Sequence, residues 1–231
     1  MVQVNNGHVT VRIKFTKVGS LQYISHLDLV RTMHKIIVRA RLPLWYTEGF
    51  NPKPKMVFAA PLSIGCESVC EYMDLRLTEV MAPEEIMTRL NQNLTEEMRV
   101  TEVYYPETKL TDLRWLEYEI NIKTGGDLKV LLESCNRCLS NDEIKVIKRS
   151  KKGETLTDIR PLIKSSELSV CDGKLKLVAI LSADQSQFLN PEYLITALKS
   201  ESGILSDERI INEYYNIMRT RALTDELSLF R

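Results

Sequence analysis

A chain of 231 residues with 44% hydrophobic and 27% charged side chains carries enough apolar material for folded cores, which excludes a disordered, charge-dominated polymer. Its 31 Lys and Arg balance 31 Asp and Glu, so the molecule as a whole is neither a basic nor an acidic polyelectrolyte. The length fits one large domain or two of about 110 residues each, and five cysteines are too few and too odd for a disulfide scaffold, which points to a reducing cytoplasm.

The charge is unevenly distributed. Residues 1–60 hold Arg12, Lys14, Lys17, Arg31, Lys35, Arg39, Arg41, Lys53 and Lys55 against Asp28 and Glu48, a net of +7. Residues 61–110 hold Arg76, Arg89, Arg99 and Lys109 against ten carboxylates, a net of −6. A basic front end within a neutral chain suggests an anionic partner such as nucleic acid. No run of about 18 apolar residues is present and the start lacks the layout of a signal peptide, so no membrane association is expected.

In chain order, Val9–Lys17 alternates Val9, Val11, Ile13 and Phe15 with Thr10, Arg12, Lys14 and Thr16, which predicts a half-buried strand. Gly19 and Ser20 break it. A helix follows over about Ser25–Arg41, with Leu27, Val30, Met33, Ile37 and Ala40 at helical spacing. Strands are expected at Met56–Pro61 and Glu71–Leu77. A helix begins at Pro83, with Glu84 and Glu85 suited to its positive end and Ile86, Met87, Leu90 and Leu94 as its stripe. Arg99–Tyr105 then closes a β-α-β-β-α-β order, the ferredoxin-like pattern.

The second half repeats the rhythm: a strand at Trp115–Ile122, a helix at Asp127–Leu139, strands at Glu143–Arg149 and Lys174–Leu181, a helix at Pro191–Lys199 and a last strand at Arg209–Met218. The segment Thr155–Ser169 reads as an interruption. The expected fold class is α+β: two tandem ferredoxin-like units, 1–109 with the basic front end and 110–231 with the elaboration, joined near Pro106–Thr111.

Ser25-His26-Leu27-Asp28 reads first as a capping box, in which Ser25 and Asp28 satisfy each other's amides. His26 in the first turn could serve as a neutral base, with Glu48 or a lysine beside it, but a lone histidine is weak evidence for catalysis. Arg31, Lys35 and Arg39 fall four apart on one helix face, either a solvated surface or a phosphate-binding stripe. The stretch Trp45 to Lys55 mixes Trp45, Tyr46 and Phe50 with Asn51, Lys53 and Lys55, stiffened by Pro52 and Pro54. Aromatics interleaved with cations suit single-stranded nucleic acid; the bland alternative is a loop whose rings plug the core. Lys145, Lys148, Arg149, Lys151 and Lys152 suggest a basic hairpin tip, or lysines that keep an edge soluble.

Cys66 and Cys70 have the first interval of a Cys-x3-Cys-x2-Cys cluster motif, but Met73 stands at the third position, so no iron–sulfur cluster is expected. Cys135 and Cys138 lie on the apolar stripe of their helix and read as buried structural thiols; zinc would need both pairs. No cofactor is expected.

The runs Tyr23-Ile24-Ser25-His26-Leu27-Asp28, Gly49-Phe50-Asn51-Pro52-Lys53-Pro54-Lys55, Ala60-Pro61-Leu62-Ser63-Ile64-Gly65, Glu71-Tyr72-Met73-Asp74-Leu75 and Thr157-Asp158-Ile159-Arg160-Pro161-Leu162-Ile163 resemble an uncharacterised bacterial family of radical-SAM-linked proteins. The resemblance implies a radical S-adenosylmethionine enzyme as partner and supplies no mechanism. Histidine is common in that family where Lys53 stands, which leaves a phosphate contact there rather than a metal or proton-transfer role. The expected function is an accessory RNA-binding protein acting with such an enzyme on RNA or a ribosome-related substrate. Two alternatives stay open: a metal-free RNA-processing enzyme using His26, and a protein–protein adaptor.

Overall fold

The computed structural model describes residues 7–150, 153–184, 186–206 and 212–231. The chain forms two compact units: residues up to Leu113 together with Leu229–Arg231, and Arg114–Ser228. The sequence placed the junction near Pro106–Thr111 and assigned the last residues to the second unit. Leu229–Arg231 belong to the first because Phe230 buries its ring against Tyr72 and Arg12.

The first unit runs β1 (Val9–Lys17), α1 (His26–Arg39), β2 (Met56–Phe58), β3 (Cys66–Leu77), α2 (Pro83–Asn91) and β4 (Val100–Tyr104). Its strands pair antiparallel in the order β4-β1-β3-β2. One face of the sheet is apolar: Val9, Val11, Ile13 and Phe15 pack with Met73, Leu75 and Leu77 under Leu29, Met33, Ile36 and Ile37 of α1 and Ile86 and Leu90 of α2. The helical stripe of α1 is therefore not quite the expected one, since Leu27 is 56% exposed. The helix ends at Arg39, and Arg41, with φ of 52°, turns the chain away. Asn91 at the end of α2 acts as a splint: its side chain donates to the Val100 carbonyl and accepts from the Val100 amide, both at 2.9 Å.

β1 differs from expectation in burial. A half-buried strand should leave Arg12 in solvent, yet it is buried, and so is Lys17 at the strand's end. The second face of the sheet is itself covered at Arg12, by Phe230.

The turn after β1 needs Gly19, whose φ is +62° and whose missing Cβ leaves room for the Glu97 carboxylate. The Gly19 amide donates to Glu67 at 2.6 Å, and the Ser20 amide and hydroxyl donate to Glu97 at 2.8 and 2.6 Å. Those bonds hold the Glu97 carboxyl below its ordinary pKa.

The second unit runs β5 (Trp115–Lys123), α3 (Leu128–Leu139), β6 (Lys145–Ser150), β7 (Gly153–Asp158), β8 (Ile163–Cys171), β9 (Lys174–Ser182), α4 (Glu192–Ser202) and β10 (Tyr214–Leu223). Its sheet has the order β10-β5-β9-β8, antiparallel at each of these pairings. β6 and β7 form a separate two-stranded hairpin. The strand expected at Glu143–Arg149 is present as β6, paired within its own hairpin. One expectation is corrected here: the supposed interruption Thr155–Ser169 leads into a strand of the main sheet, β8. The confusion has a physical source: β8 exposes Lys164, Ser165, Glu167 and Ser169, so an edge strand reads as a polar loop. The last strand begins at Tyr214; residues 209–211 of the expected strand lie outside the described residues. Among the described residues no helix is long and apolar enough to cross a membrane.

Glu117 of β5 is 7% exposed and is held by Arg221 and Thr220 of β10: Arg221 Nε donates at 2.8 Å, a second guanidinium nitrogen reaches the other oxygen, and Thr220 Oγ1 donates at 2.8 Å. The bonds from Arg221 are the main reason its carboxyl lies below the ordinary 4.5. A carboxyl depressed on folding stabilises above its unfolded pKa and loses that contribution as pH falls through the folded value. Glu117→Gln is therefore expected to cost about 1–3 kcal/mol at pH 7. It should also flatten the fall in urea midpoint below about pH 5, measured by fluorescence-monitored denaturation.

Candidate nucleic-acid interface

α1 starts at Ser25, whose hydroxyl accepts the Asp28 amide at 3.1 Å and donates to Asp28 Oδ2 at 2.6 Å. The reciprocal bond thus runs through the Ser25 hydroxyl, where a capping box would use the Ser25 amide. With Leu29, Met33, Ile36 and Ile37 turned to the core, Arg31, Lys35 and Arg39 are all exposed. Arg31 lies 3.6 Å from Asp28. Among the described residues Lys35 and Arg39 make no ion pair. Six positions after Arg39 the chain enters the aromatic–basic loop.

That loop is a braced hairpin. Thr47 N donates to the Lys53 carbonyl at 2.9 Å, Lys53 N to Thr47 Oγ1 at 3.1 Å, and Lys55 N to the Trp45 carbonyl at 3.1 Å. Its stem is fastened to β3 by Trp45 N to the Arg76 carbonyl at 3.0 Å and Arg76 N to the Lys55 carbonyl at 3.1 Å. The rings divide into two roles. Trp45 is half-buried, 5.1 Å from the His8 ring and 5.5 Å from the Arg76 guanidinium, so it serves the stem. Tyr46 is 44% exposed, and Phe50 at the tip is entirely exposed, with Asn51 and Lys53 also exposed and Lys55 half-buried.

The cations of β1 are withdrawn from solvent or paired, while Arg41 is exposed. Arg12 forks onto Asp74, with Nε–Oδ1 at 2.7 Å and Nη2–Oδ2 at 3.0 Å, and its remaining donors reach Thr108 Oγ1 and the Thr108 carbonyl at 2.9 and 3.1 Å. Lys14 pairs with Glu102 at 2.6 Å, and Lys17 is buried. Arg12 and Lys14 cannot meet phosphates while these contacts stand. Sequence reasoning missed this network because its partners lie 62, 88 and 96 positions away.

Of the cations on the hairpin of the second unit, the side chains of Lys145 and Lys148 are described. Lys145 pairs with Glu143 at 2.5 Å. Lys148 lies 5.5 Å over the Tyr193 ring, and burial lowers its pKa. The Arg149 side chain, Lys151 and Lys152 lie outside the described residues.

His26 is exposed, its ring edge-on to Phe58 at 5.4 Å. No hydrogen bond joins it to Glu48, which is exposed in the loop. Cys66, Cys70, Cys135 and Cys138 are buried and in no disulfide, and burial pushes the Cys138 thiol up to about 11, far from a reactive thiolate. Among the described residues no group of three or more His, Cys, Asp or Glu is gathered that could hold a metal ion.

A family model described as an uncharacterized protein conserved in bacteria, DUF2344, matches residues 10–191. The chain belongs to this family. No curated protein matches it. Among solved structures it is similar, at 11% identity and a TM-score of 0.49, to a chain of the crystal structure of a Cbf5–Nop10–Gar1 complex, over 92% of this chain and 48% of that one. The chain thus spans about half the length of that neighbour. It is also similar, at 10% identity and a TM-score of 0.25, to an unknown protein from Galdieria sulphuraria, over 92% of this chain and 98% of that one.

The Arg12 network separates buried from surface charge. Asp74→Asn, which leaves a fully buried guanidinium without its counter-ion, should cost about 3–5 kcal/mol. Lys14→Ala, which removes a partly exposed pair, should cost less than about 1 kcal/mol. Urea denaturation of the two variants gives both values.

Proposed function

We propose that the protein is an RNA-contacting accessory module that works beside a radical S-adenosylmethionine enzyme, built on two tandem ferredoxin-like units of which the second carries an inserted hairpin. The strand orders β4-β1-β3-β2 and β10-β5-β9-β8, each with two helices in the same sequence positions, support the tandem reading.

The observation that carries the RNA contact is Phe50: a bare ring on a hairpin braced by backbone bonds and fastened to β3. An entirely exposed phenyl ring contributes nothing to the core, and the braced backbone presents it at little entropic cost on binding. Lys53 beside it and the unpaired Lys35 and Arg39 provide for phosphate neutralisation, while the ring provides a stacking surface for a base. Among the described residues no hydrogen bond or ion pair joins His26 to another titratable side chain, so the enzymatic alternative gains no support from its surroundings.

Fluorescence anisotropy with a labelled single-stranded RNA tests this reading. Log affinity should fall linearly with log salt. Lys35→Glu with Arg39→Glu should make that slope shallower by about one to two units. Phe50→Ala should weaken binding by about 5- to 100-fold with the slope unchanged. Neither change should move the melting temperature, because all three side chains are exposed. An affinity that stays flat between 50 and 200 mM salt (about these concentrations) would falsify the RNA reading.

The enzyme partner rests on the motif runs, and two of them, residues 23–28 and 60–65, lie side by side. Gly65 N donates to the Gln22 carbonyl at 2.9 Å and the His26 ring meets Phe58. These contacts draw the exposed apolar side chains of Tyr23, Leu27 and Ile64 to the same end of α1. Leu27→Glu is expected to abolish co-purification of a tagged protein with the enzyme at high salt, while RNA affinity stays unchanged; retained co-purification would count against docking there.

A further inference from the structure

The sheet face turned away from α1 and α2 brings Arg12 of β1 between Asp74 of β3 and Tyr104 of β4 in register, with Tyr72 beside Lys14 on the next pair. Four bonds to Asp74 and Thr108 pin the Arg12 guanidinium in its own plane and leave its flat face clear of donors. Phe230 occupies that face: the guanidinium carbon lies 4.7 Å from its ring centroid, and Tyr72 meets the same ring edge-on at 5.1 Å and 88°. One residue further, the Arg231 guanidinium lies 5.5 Å over the Tyr104 ring.

A pinned guanidinium plane with an aromatic edge beside it is the arrangement that holds a planar heterocycle. Here the ring it holds is the protein's own. One polar feature is left over: the Tyr104 hydroxyl is buried and has no hydrogen-bond partner among the described residues. A phenyl ring cannot satisfy it, whereas the polar edge of a base could. Tyr104 and Arg231 also border a cleft of about 220 Å³, open to solvent, that runs along β4 to Pro83, Glu84 and Met87 of α2. The segment that delivers Phe230 is exposed from Asp225 through Leu229 and is closed by a turn, with Thr224 N donating to the Ser228 carbonyl at 2.9 Å and Leu227 N to the Thr224 carbonyl at 3.1 Å.

We propose that the face formed by Arg12, Tyr72 and Tyr104 is a nucleobase-binding site, which Phe230 occupies from within and which a base opens by displacing it. The site deepens the RNA-contact reading and rests on it, yet lies apart in sequence from the Phe50 loop and can be tested without it. Phe230 competes with ligand, so the apparent affinity of the intact protein is reduced by the fraction of molecules that are open.

Isothermal titration of the intact protein and of Phe230→Ala with AMP, with ribose 5-phosphate and with a short oligoadenylate decides the matter. Phe230→Ala should bind AMP about 10-fold more tightly than the intact protein, by removing the competing ring. Ribose 5-phosphate should show no such gain, and the gain should persist in a Phe50→Ala background. Equal AMP affinity in the two proteins overturns the inference. So does an equal gain for ribose 5-phosphate, which would mark a phosphate site only. If the intact protein binds no oligoadenylate, the reading built on Phe50 fails, while the AMP comparison still judges this site. A second measurement needs no substitution: saturating AMP should speed amide hydrogen exchange at Phe230 and Arg231 in the intact protein, and unchanged exchange overturns the proposal even where Phe230→Ala fails to fold.

Discussion

The first unit is organised around a charge that water cannot reach. Arg12 is wholly buried, and a buried guanidinium is tolerable only when its charge is matched and its donors are satisfied. Asp74 supplies the charge, Thr108 two further acceptors and Phe230 the cover over the flat face. These partners come from β3, from the segment after β4 and from the returning residues Leu229–Arg231, so one side chain ties three distant stretches into one unit. Thr108 extends the chain of contacts, its hydroxyl donating to the Arg231 carbonyl while it accepts from Arg12. The return of Leu229–Arg231 to the first unit follows from this: without Phe230 the guanidinium face would be open to solvent and the Tyr72 ring would lose its neighbour.

The same register explains why the charge asymmetry along the chain is only partly an asymmetry in space. β1 supplies cations, and β3 and β4 supply carboxylates from the acidic stretch that follows. Antiparallel pairing sets Arg12 opposite Asp74 and Lys14 opposite Glu102. Windowed charge counts cannot see this, because pairing across a sheet joins positions far apart in sequence. What survives among the described residues is a smaller set of cations outside the sheet that make no ion pair: Lys35 and Arg39 on the outer face of α1, Arg41 just beyond it, and Lys53 and Lys55 on the hairpin. None of them lies in a strand opposite the carboxylates of β3 and β4.

Elements whose pattern is set by their own burial were legible in sequence. β1, α1, β5, α3 and β9 each show their period, because one face meets the core along most of their length. β8 was not legible, since an edge strand with an exposed face loses the apolar half of its alternation; β6, with Val146 buried and Ile147 exposed, mimics a sheet strand although it pairs only within its hairpin. The candidate site divides the same way. The stiffness of the Trp45–Lys55 loop was readable from its prolines, but the split between Trp45, committed to His8 and Arg76, and Phe50, committed to nothing, required three-dimensional neighbours. The site around Arg12 had no local signature at all: an arginine in an alternating strand reads as solvent-facing until something far along the chain covers it.

The two aromatic surfaces proposed to bind a base differ in what each would have to overcome. Phe50 is already exposed, so stacking on it requires no rearrangement, and its contact should form with little dependence on the rest of the fold. The face over Arg12 is preformed but filled, and opening it forfeits the Phe230 ring's contacts with Arg12 and Tyr72. A base that replaces the ring restores the stacking over the guanidinium and additionally offers a partner to the Tyr104 hydroxyl, which burial has already pushed up to about 12 and thus keeps as a neutral donor. The balance between the internal ring and an external base then turns on that single unsatisfied hydroxyl, since the dispersion and cation–π contacts are similar for both. A ligand with a hydrogen-bond acceptor at its ring edge is favoured over one without, so the proposed site selects for a heterocycle over a phenyl side chain by the group that Phe230 leaves unpaired.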